Sequence, residues 1–492
     1  MQLVRFFPCL LFVVACGGGG RPQQQPIPDS PTADGPLADG PESDGPESDG
    51  PTSDGPGDDG PKKTVARIWA VGDIVTNNVN IGGGFAADAA LPFNTANPPT
   101  IVVPGGAGKL ATSGDNVFDA RGSKIAYIAD QTEPGRLDLN VADADGSNPI
   151  IVVQGGVPNI EMTSVALSPD GTKVAFTMDS AAVDGGLDLY VASTTANATP
   201  VLISPSRGDV VNPALDVFTQ YEWSADSKFV GFSSEAVDDG FQQAFITDTT
   251  AATPTPVELL ARAEITATSG DRGVRGRILF DSENNAYFRA RLTDADEKFT
   301  LFKSDTTGQK AAVALPARGD ASVPDVGAFG FTPDGNTLVF GVDAPTLGIY
   351  DMYTAPIANL STPTKITNIA AIGNAELAAQ FTAPFAFSPD GTKVAVVATF
   401  FSGGDGTFEP VVIALDGSST KRLTAVPTNT NQDTDKVVWA DNNTVFATGD
   451  IAASNVTSLF KLDASMEDQA PTLAVEMPTS GDLFNVFAVQ PQ

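Results

Sequence analysis

A β-hairpin pattern recurs along this chain at nearly constant spacing, and it restricts the possible folds more than any other feature. Two copies are almost the same: residues 167–176 read LSPDGTKVAF and residues 387–396 read FSPDGTKVAV. The apolar residue before each turn recurs at intervals of 49 to 57 residues, at Phe118, Leu167, Trp223, Phe280, Phe331, Phe387 and Trp439. A unit of this length built as strand, tight turn and strand indicates a radial array of β-sheets.

The turn has a clear physical basis. Pro169 fixes φ at the first corner, Asp170 can accept a bond from a nearby backbone N–H, and Gly171 takes the positive φ that reverses the chain. The copy at Phe280 (DSENN) is the weakest match, and it is kept because its spacing fits. The predicted blade-turn residues, all structural, are Asp170, Gly171, Asp226, Asp334, Gly335, Asp390, Gly391 and Asp441.

Each repeat contains enough strand-forming segments for a four-stranded sheet. A second apolar run follows each anchor after 19 to 24 residues, and a third short run closes most units. The fold class predicted is therefore an all-β propeller of four-stranded blades. Residues 64–492 divided by the mean spacing of 53.5 give about eight blades. The eighth would combine residues 483–489 with strands near 66–71 and 100–103; seven blades with a flanking extension is the alternative.

The repeat also resembles a known family. The repeat pattern, Phe/Leu-Ser-Pro-Asp-Gly-x-x-Val-Ala-Phe, then Asp-Leu-x-Val and then Asp-x-Asp-Gly (Asp143, Asp145 and Gly146 in the first unit), is similar to the blade repeat of TolB-like, WD-repeat-like β-propellers. The resemblance covers roughly residues 110 to 480 and implies the propeller fold. It carries little information about function, because such propellers serve many roles.

The N-terminus predicts a compartment. Arg5 precedes an apolar stretch of ten residues, too short to span a bilayer, and the sequence VVAC then meets a glycine run. This ending resembles the lipobox of bacterial lipoproteins, which implies cleavage after Ala15 and lipidation of Cys16. We therefore expect a cell-envelope protein anchored by lipid to the outer membrane, on its periplasmic or its exposed face. An ordinary secretory signal is the alternative.

Residues 16–63 are predicted to be a disordered tether, between a signal peptide at 1–15 and the propeller at 64–492. Six consecutive pentads end in Asp-Gly-Pro, and residues 17–63 hold ten acidic and three basic side chains. Proline, glycine and mutual repulsion prevent a packed core. The simple interpretation is a spacer, and binding of cations or cell wall by the acidic repeat is the alternative.

Composition removes several classes of chemistry. The chain has no histidine, which excludes Ser-His and Cys-His triads and histidine metal sites, and its only cysteines are Cys9 in the signal and Cys16. We predict no catalytic residue, no cofactor and no metal ligand. A calcium loop at Asp143 is less favoured than a hairpin turn, and the glycine runs at 82–84 and 105–108 are predicted to be surface loops. Trp69, Trp223 and Trp439 are expected in the core rather than as a sugar-stacking platform.

These observations predict a non-enzymatic protein-binding or scaffold module of the cell envelope. Its partners would be envelope proteins, its membrane contact the lipid alone, and its state monomeric. A net charge of −32 disfavours nucleic acid. Residues 82–99 and 400–409 are candidate contact loops. The alternative is a carboxylate-based hydrolase or lyase acting on envelope polysaccharide, since carboxylates are too abundant here for a catalytic pair to be recognised.

Overall fold

In the computed structural model the chain divides into two units, Met1–Lys62 and Lys63–Gln492, and all described residues lie in the second. The backbone alone is described for residues 67–76, 79–88, 100–103, 475 and 483–490. Side chains are described within residues 117–474, apart from 130–135, 156–161, 180–185, 206–215, 237–238, 269–271, 295–297, 317–323, 344–349, 368–384, 401–406, 426–432 and 452–456. Cys16, the signal segment and the tether lie outside the described residues.

The strands form eight antiparallel sheets, which are the blades of a propeller. The first three strands of the chain belong to the last blade, blade 8: β1 (Arg67–Thr76), β2 (Val79–Asp88) and β3 (Thr100–Val103). Blade 1 contains β4 (Phe118–Arg121), β5 (Lys124–Ala129), β6 (Asp138–Asp143) and β7 (Ile150–Val153). Blade 2 contains β8 (Met162–Leu167), β9 (Lys173–Asp179), β10 (Leu187–Ser193) and β11 (Val201–Leu202).

Blades 3 and 4 follow in sequence. Blade 3 contains β12 (Glu222–Trp223), β13 (Phe229–Ser234), β14 (Gln243–Asp248) and β15 (Pro256–Leu260), and a 3-10 turn at Arg262–Glu264 comes next. Blade 4 contains β16 (Gly273–Val274), β17 (Leu279–Phe280), β18 (Ala286–Arg291), β19 (Thr300–Ser304) and β20 (Lys310–Ala312). Both β16 and β17 pair with β18, so blade 4 has five strands because its first strand is interrupted.

Blades 5 to 7 are regular. Blade 5 contains β21 (Val326–Phe331), β22 (Thr337–Val342), β23 (Asp351–Pro356) and β24 (Thr364–Lys365). Blade 6 contains β25 (Phe385–Phe387), β26 (Lys393–Ala398), β27 (Glu409–Ala414) and β28 (Thr420–Arg422). Blade 7 contains β29 (Thr434–Trp439), β30 (Thr444–Gly449), β31 (Ser458–Asp463) and β32 (Thr472–Val475), and β33 (Leu483–Gln490) completes blade 8.

Strand β33 closes the ring. It pairs antiparallel with β1, with Arg67 opposite Gln490 and Gly72 opposite Leu483. The first strands of neighbouring blades touch one another (β4 with β8, β21 with β25, β25 with β29), and β33 contacts both β29 and β4. It is therefore the innermost strand of blade 8. The eight-bladed prediction, with a composite blade made from both ends of the repeat region, is confirmed.

The hydrophobic core lies between adjacent blades. Val339 of blade 5, for example, packs in one cluster with Val394 and Ile413 of blade 6. Trp223 and Trp439 are only 3% and 4% exposed. The indole N–H of Trp223 donates to the Ala166 carbonyl at 3.0 Å, and that of Trp439 donates to the Ala386 carbonyl at 2.8 Å, in each case in the preceding blade. The expectation that these two tryptophans belong to the core is confirmed.

The glycine run at 82–84 does not form the predicted loop. Gly82, Gly83 and Gly84 lie within β2, opposite Asp73, Gly72 and Val71 of β1. Backbone pairing along ten residues holds this segment in a strand despite the poor strand preference of glycine. Residues 105–108 lie outside the described residues, as do most of the candidate contact loops 82–99 and 400–409.

The turn between the first and second strands of a blade has the same backbone conformation in six blades. Its φ lies between 58° and 68°, in the left-handed region, at Gly122, Gly171, Ser227, Asn284, Gly335 and Gly391. The weak copy after Phe280 therefore makes the same turn as the others. Where glycine is replaced, the new side chain bonds a neighbouring blade: Ser227 Oγ accepts from the Asp170 N–H at 3.1 Å, and Asn284 Nδ2 donates to Asp226 at 2.9 Å.

We expect Gly171→Ala to lower the free energy of unfolding by about 1–2 kcal/mol, because an L-residue with a Cβ is strained at this φ. A Cβ there would meet only Lys124 Cδ at 3.7 Å, so steric crowding is not the cause. Gly171→Asn is the control, since asparagine tolerates the left-handed region, and it should cost much less. Urea denaturation checks both variants, and equal losses would contradict the conformational explanation.

Candidate functional site

The predicted blade-turn aspartates lie on one face of the ring, here called the turn face, which holds the turns between first and second strands. Each accepts hydrogen bonds from its own turn. A hydroxyl donates at 2.6 to 2.7 Å to Asp170, Asp226, Asp334 and Asp390. Asp441 accepts from the backbone N–H groups of Asn443 and Thr444. The Ser388 hydroxyl holds the pKa of Asp390 below its usual value, so this carboxylate stays ionised.

A groove of about 460 Å³ opens between the turns of blades 5 and 6 on this face. Asp334, Asp390 and Asp416 lie along it together with threonine and proline side chains. All three carboxylates have a lowered pKa because side-chain hydroxyls donate to them, Thr332, Ser388 and Ser418 respectively. Carboxylates held in the ionised form by their own turns are poor candidates for proton transfer at neutral pH.

The loop at Asp143 forms a hairpin turn rather than a cation site. The Asp143 N–H donates to the Ser147 carbonyl, and Gly146 has a φ of 82°. Asn148 Nδ2 donates to the Asp143 carboxylate at 2.8 Å, and the Ser147 hydroxyl donates to Asp145. The carboxylate oxygens are thus occupied by donors of the same loop. Among the side chains that the structure describes, no group of three or more acidic or cysteine ligands could hold a metal ion.

The opposite face of the ring, here called the loop face, carries a repeated aspartate. An aspartate precedes the first strand of blades 3, 5 and 7, and its carboxylate accepts from the backbone N–H at or just before the third strand of the preceding blade. The pairs are Asp216 with Leu187, Asp325 with Phe299 and Asp433 with Phe408, at 2.7 to 2.8 Å. These bonds join adjacent blades.

Glu235 departs from this pattern. The residue after the second strand is Asp343 in blade 5 and Asp450 in blade 7, and each carboxylate accepts at 2.5 Å from the N–H of the aspartate just described. In blade 3 this residue is Glu235. Its N–H donates to the Asp216 carbonyl, just as the N–H groups of Asp343 and Asp450 donate to the carbonyls of Asp325 and Asp433. Its carboxylate instead accepts from the Gly240 N–H at 3.1 Å. The longer side chain has left the structural position that its equivalents occupy.

The environment of Glu235 suits proton transfer. The residue is 8% exposed. Burial, followed by the charges of Asp239 and Asp216, raises its pKa to about 7, and the Gly240 N–H and Arg272 act in the opposite direction. A carboxyl group whose pKa is close to neutral can accept and release protons under physiological conditions.

Arg272 completes the site from blade 4. Its guanidinium lies against Gly240, where a Cβ would come within 2.3 Å of Nη2. Its Cζ lies 3.9 Å from the centre of the Phe241 ring, and the Arg262 Cζ lies 3.4 Å from the same centre. Two guanidinium groups cannot share one volume, so they cover opposite faces of the ring. Glycine at 240 is therefore needed for the close approach between Arg272 and the backbone beside Glu235.

Two further carboxylates on the loop face have a raised pKa. Asp435 lies on β29, where the surrounding protein and the charges of Asp450 and Asp433 raise its pKa to about 6. Burial raises the pKa of Asp325, which accepts from Phe299 and from the Tyr350 hydroxyl. These groups belong to blades 7 and 5. In a ring of eight, blade 7 lies opposite blade 3, so Asp435 and Glu235 come from opposite sides.

The inner strands of blades 1, 3 and 4 meet in an ion-pair network. Glu222 accepts from Arg121 at 2.8 Å and from Arg277 at 2.6 Å. Although burial alone would raise the pKa of Glu222, these two guanidinium groups hold it below its usual value. This carboxylate is ionised and fully engaged, which distinguishes it from Glu235.

No family model and no curated protein matches the chain, whereas solved structures do. A prolyl endopeptidase has a TM-score of 0.49 at 10% identity, over 76% of this chain and 51% of that one. Puromycin hydrolase gives 0.48 at 16%, over 77% and 55%. An oligogalacturonate lyase in complex with manganese gives 0.44 at 11%, over 81% and 97%. The chain thus spans about half the length of the first two.

The prediction of a non-enzymatic binding or scaffold module is contradicted by these matches, which are peptidases, hydrolases and a lyase. The prediction that the chain has no catalytic residue stays a prediction. The prediction depended on the missing histidines. That absence removes the nucleophilic triads but leaves proton transfer by carboxylates untouched. Glu235 was missed because nothing in the sequence separates it from the other acids. The crowding of Arg272, Arg275 and Arg277 within six residues of an acidic chain was a usable signal.

The raised pKa of Glu235 predicts a pH-dependent penalty on folding. The folded state binds this proton more tightly than the unfolded state, whose reference pKa is 4.5. Wild-type stability should therefore fall, relative to Glu235→Gln, as pH rises from about 4.5 to about 7. The variant, which keeps an acceptor for Gly240, should gain up to roughly 3 kcal/mol at pH 8 and nothing at pH 4.

Urea denaturation across this pH range measures the difference. Glu264→Gln is the control of opposite sign, because Lys310 and the Ala261 N–H hold the pKa of Glu264 below its usual value, although burial alone would raise it. The Glu264→Gln substitution should lower the free energy of unfolding at neutral pH. A pH-independent effect of Glu235→Gln would show that the carboxylate is not under strain.

Proposed function

We propose that this propeller is a carboxylate-based hydrolase or lyase that acts on polysaccharide of the cell envelope, with Glu235 as the proton-transfer group. The observation that carries the proposal is the displacement of this carboxylate. Asp343 and Asp450, its equivalents, accept a hydrogen bond from the N–H of the aspartate that precedes the first strand of their own blade. Glu235 faces Gly240 and Arg272 instead, at the cost of burial beside two like charges. Strained ionisable groups of this kind cluster at active sites.

The chemistry follows from the group. In hydrolysis, the protonated carboxyl group gives its proton to the glycosidic oxygen as the bond to carbon breaks. Water then adds to that carbon and gives a proton back to the carboxylate. In elimination, the ionised carboxylate takes a proton from the carbon next to a sugar carboxyl group. The electron pair of that C–H bond forms a double bond, the neighbouring C–O bond breaks, and the leaving oxygen takes a proton from water. A pKa near 7 serves either direction of transfer.

The choice of substrate location rests on the proposed anchor. We propose that Cys16 is lipidated and that residues 16–63 tether a monomeric, TolB-like propeller to the outer membrane. In this arrangement the lipid is the only membrane contact, and other envelope proteins are its expected neighbours. The Val-Val-Ala-Cys sequence and the Asp-Gly-Pro pentads support this proposal.

Glu235→Gln should lower kcat on the cognate glycan by roughly 10²- to 10⁴-fold, the usual contribution of general acid–base catalysis. The wild-type pH profile of kcat/KM should show an apparent pKa of about 7. Asp416→Asn on the turn face is the matched control and should keep full activity. The assay follows new reducing ends and ultraviolet-absorbing unsaturated ends in purified envelope glycans, which separates hydrolysis from elimination. Full activity of the Glu235→Gln enzyme would refute the proposal.

Cys16→Ser should abolish incorporation of radiolabelled palmitate and move the protein from the membrane fraction to the soluble fraction. The reason is that the acyl chains, which provide stable anchoring, have no other attachment point in the proposed arrangement. Cys9→Ser is the control, since that residue is predicted to leave with the signal peptide. Membrane retention of the Cys16→Ser protein would contradict the anchor.

A further inference from the structure

Two arginines are held together by one aromatic ring, and one of them, Arg272, lies beside Glu235. Arg262 and Arg272 cover the two faces of Phe241, with Cζ atoms 3.4 and 3.9 Å from its centre. Each contact is a cation–π interaction, which fixes the plane of the guanidinium group. Like charges held this close repel each other, so an anion bound beside the pair lowers its electrostatic energy.

Arg272 is the member of the pair with a donor left unsatisfied by the residues that the structure describes. Its Nε is shielded from solvent and makes no hydrogen bond within the part of the chain that the structure describes. The arginines nearby are occupied differently: Arg277 pairs with Glu222 at 2.6 Å, and Arg291 pairs with Asp294 at 3.1 Å. Arg262 donates to the Ile265 carbonyl at 2.9 Å.

The distribution of charge makes this pair unusual. The chain carries a net charge of −32, yet six of its 14 arginines lie within residues 262–291. Arginine side chains in an otherwise acidic protein favour binding of an anionic ligand here over the rest of the surface. The position beside Glu235 then brings the anionic group of a ligand next to the proposed proton-transfer carboxylate.

We propose that Arg262 and Arg272 bind the carboxylate of an acidic sugar, so that the substrate is a glycan containing uronic acid. This inference rests on the proposed function for its link to catalysis. A planar guanidinium donates two parallel hydrogen bonds to a carboxylate, a geometry that a neutral sugar hydroxyl cannot match. The Nε and one Nη of Arg272 form such a fork, and the Phe241 ring holds the fork in place. Binding of the sugar carboxylate gives the buried Nε a partner.

Isothermal titration calorimetry tests this with the full mature protein carrying Glu235→Gln, which slows turnover. The probes are oligomers of galacturonic acid, oligomers of guluronic acid and hyaluronan fragments, each compared with its methyl ester, which is neutral. We expect at least one acid oligomer to bind at least tenfold more tightly than its ester. Additional Arg272→Gln should weaken that binding at least tenfold, Arg272→Lys should give an intermediate loss, and Arg422→Gln in blade 6 should leave it unchanged.

Several results would overturn the inference: equal affinity for acid and ester, unchanged affinity in Arg272→Gln, or no binding of any acid oligomer. If Arg272→Gln does not fold, as thermal melting would show, the acid-to-ester comparison decides without it. Binding of the acid oligomer together with absence of turnover in wild type would refute the proposed function and keep this site. Cleavage of a neutral glycan with no preference for acid would refute this site and keep the proposed function.

Discussion

The antiparallel pairing of β33 with β1 is the interaction on which the rest of the structure depends. A blade has two apolar faces, and each must be covered by a neighbouring blade, as Val339 is covered by Val394 and Ile413. In an open row the first and last blades would each expose one such face, and exposed edges and apolar faces favour aggregation. The ring removes this problem only if its ends join. Strand β33, lying between β29 and β4, makes that junction.

Closure gives the molecule two faces with different roles. On the turn face the aspartates are occupied by their own turns, and hydroxyl groups keep Asp334 and Asp390 ionised. On the loop face the chain holds carboxylates under electrostatic strain. Glu235 is the clearest case, because its equivalents in blades 5 and 7 accept hydrogen bonds from a backbone N–H of their own blade. The strained carboxylate stays in place because the hydrophobic contacts between blades fix the backbone around it.

Much of the fold could be predicted from the sequence, because turns such as Ser-Pro-Asp-Gly have a strong local preference and the hairpin pattern recurs at nearly constant spacing. The blade after Phe280 was recognised by spacing alone, and Asn284 indeed takes the same left-handed conformation as Gly171. The glycine run at 82–84 was misjudged, because pairing with β1 outweighs the local preference of glycine. Such pairing is decided by residues far away in sequence.

The candidate site could not be predicted in the same way. Glu235, Gly240 and Arg272 come from two blades, and each has an ordinary counterpart elsewhere in the sequence. What distinguishes Glu235 is a comparison between blades: its carboxylate accepts from Gly240 where Asp343 accepts from Asp325. That difference is a matter of three-dimensional position. The absence of histidine was read too broadly, since it bears on triads and says nothing about carboxylates.

The most direct test of ring closure is to remove residues 483–492 and compare the product with a chain that lacks only residues 491–492. If β33 closes the ring, the longer deletion lowers the midpoint of thermal unfolding, and the exposed edge of β1 causes self-association in size-exclusion chromatography. A synthetic peptide spanning residues 483–490 then restores both properties. If the protein without residues 483–492 melts at the same temperature as the control and stays monomeric, the pairing of β33 with β1 does not hold the propeller together.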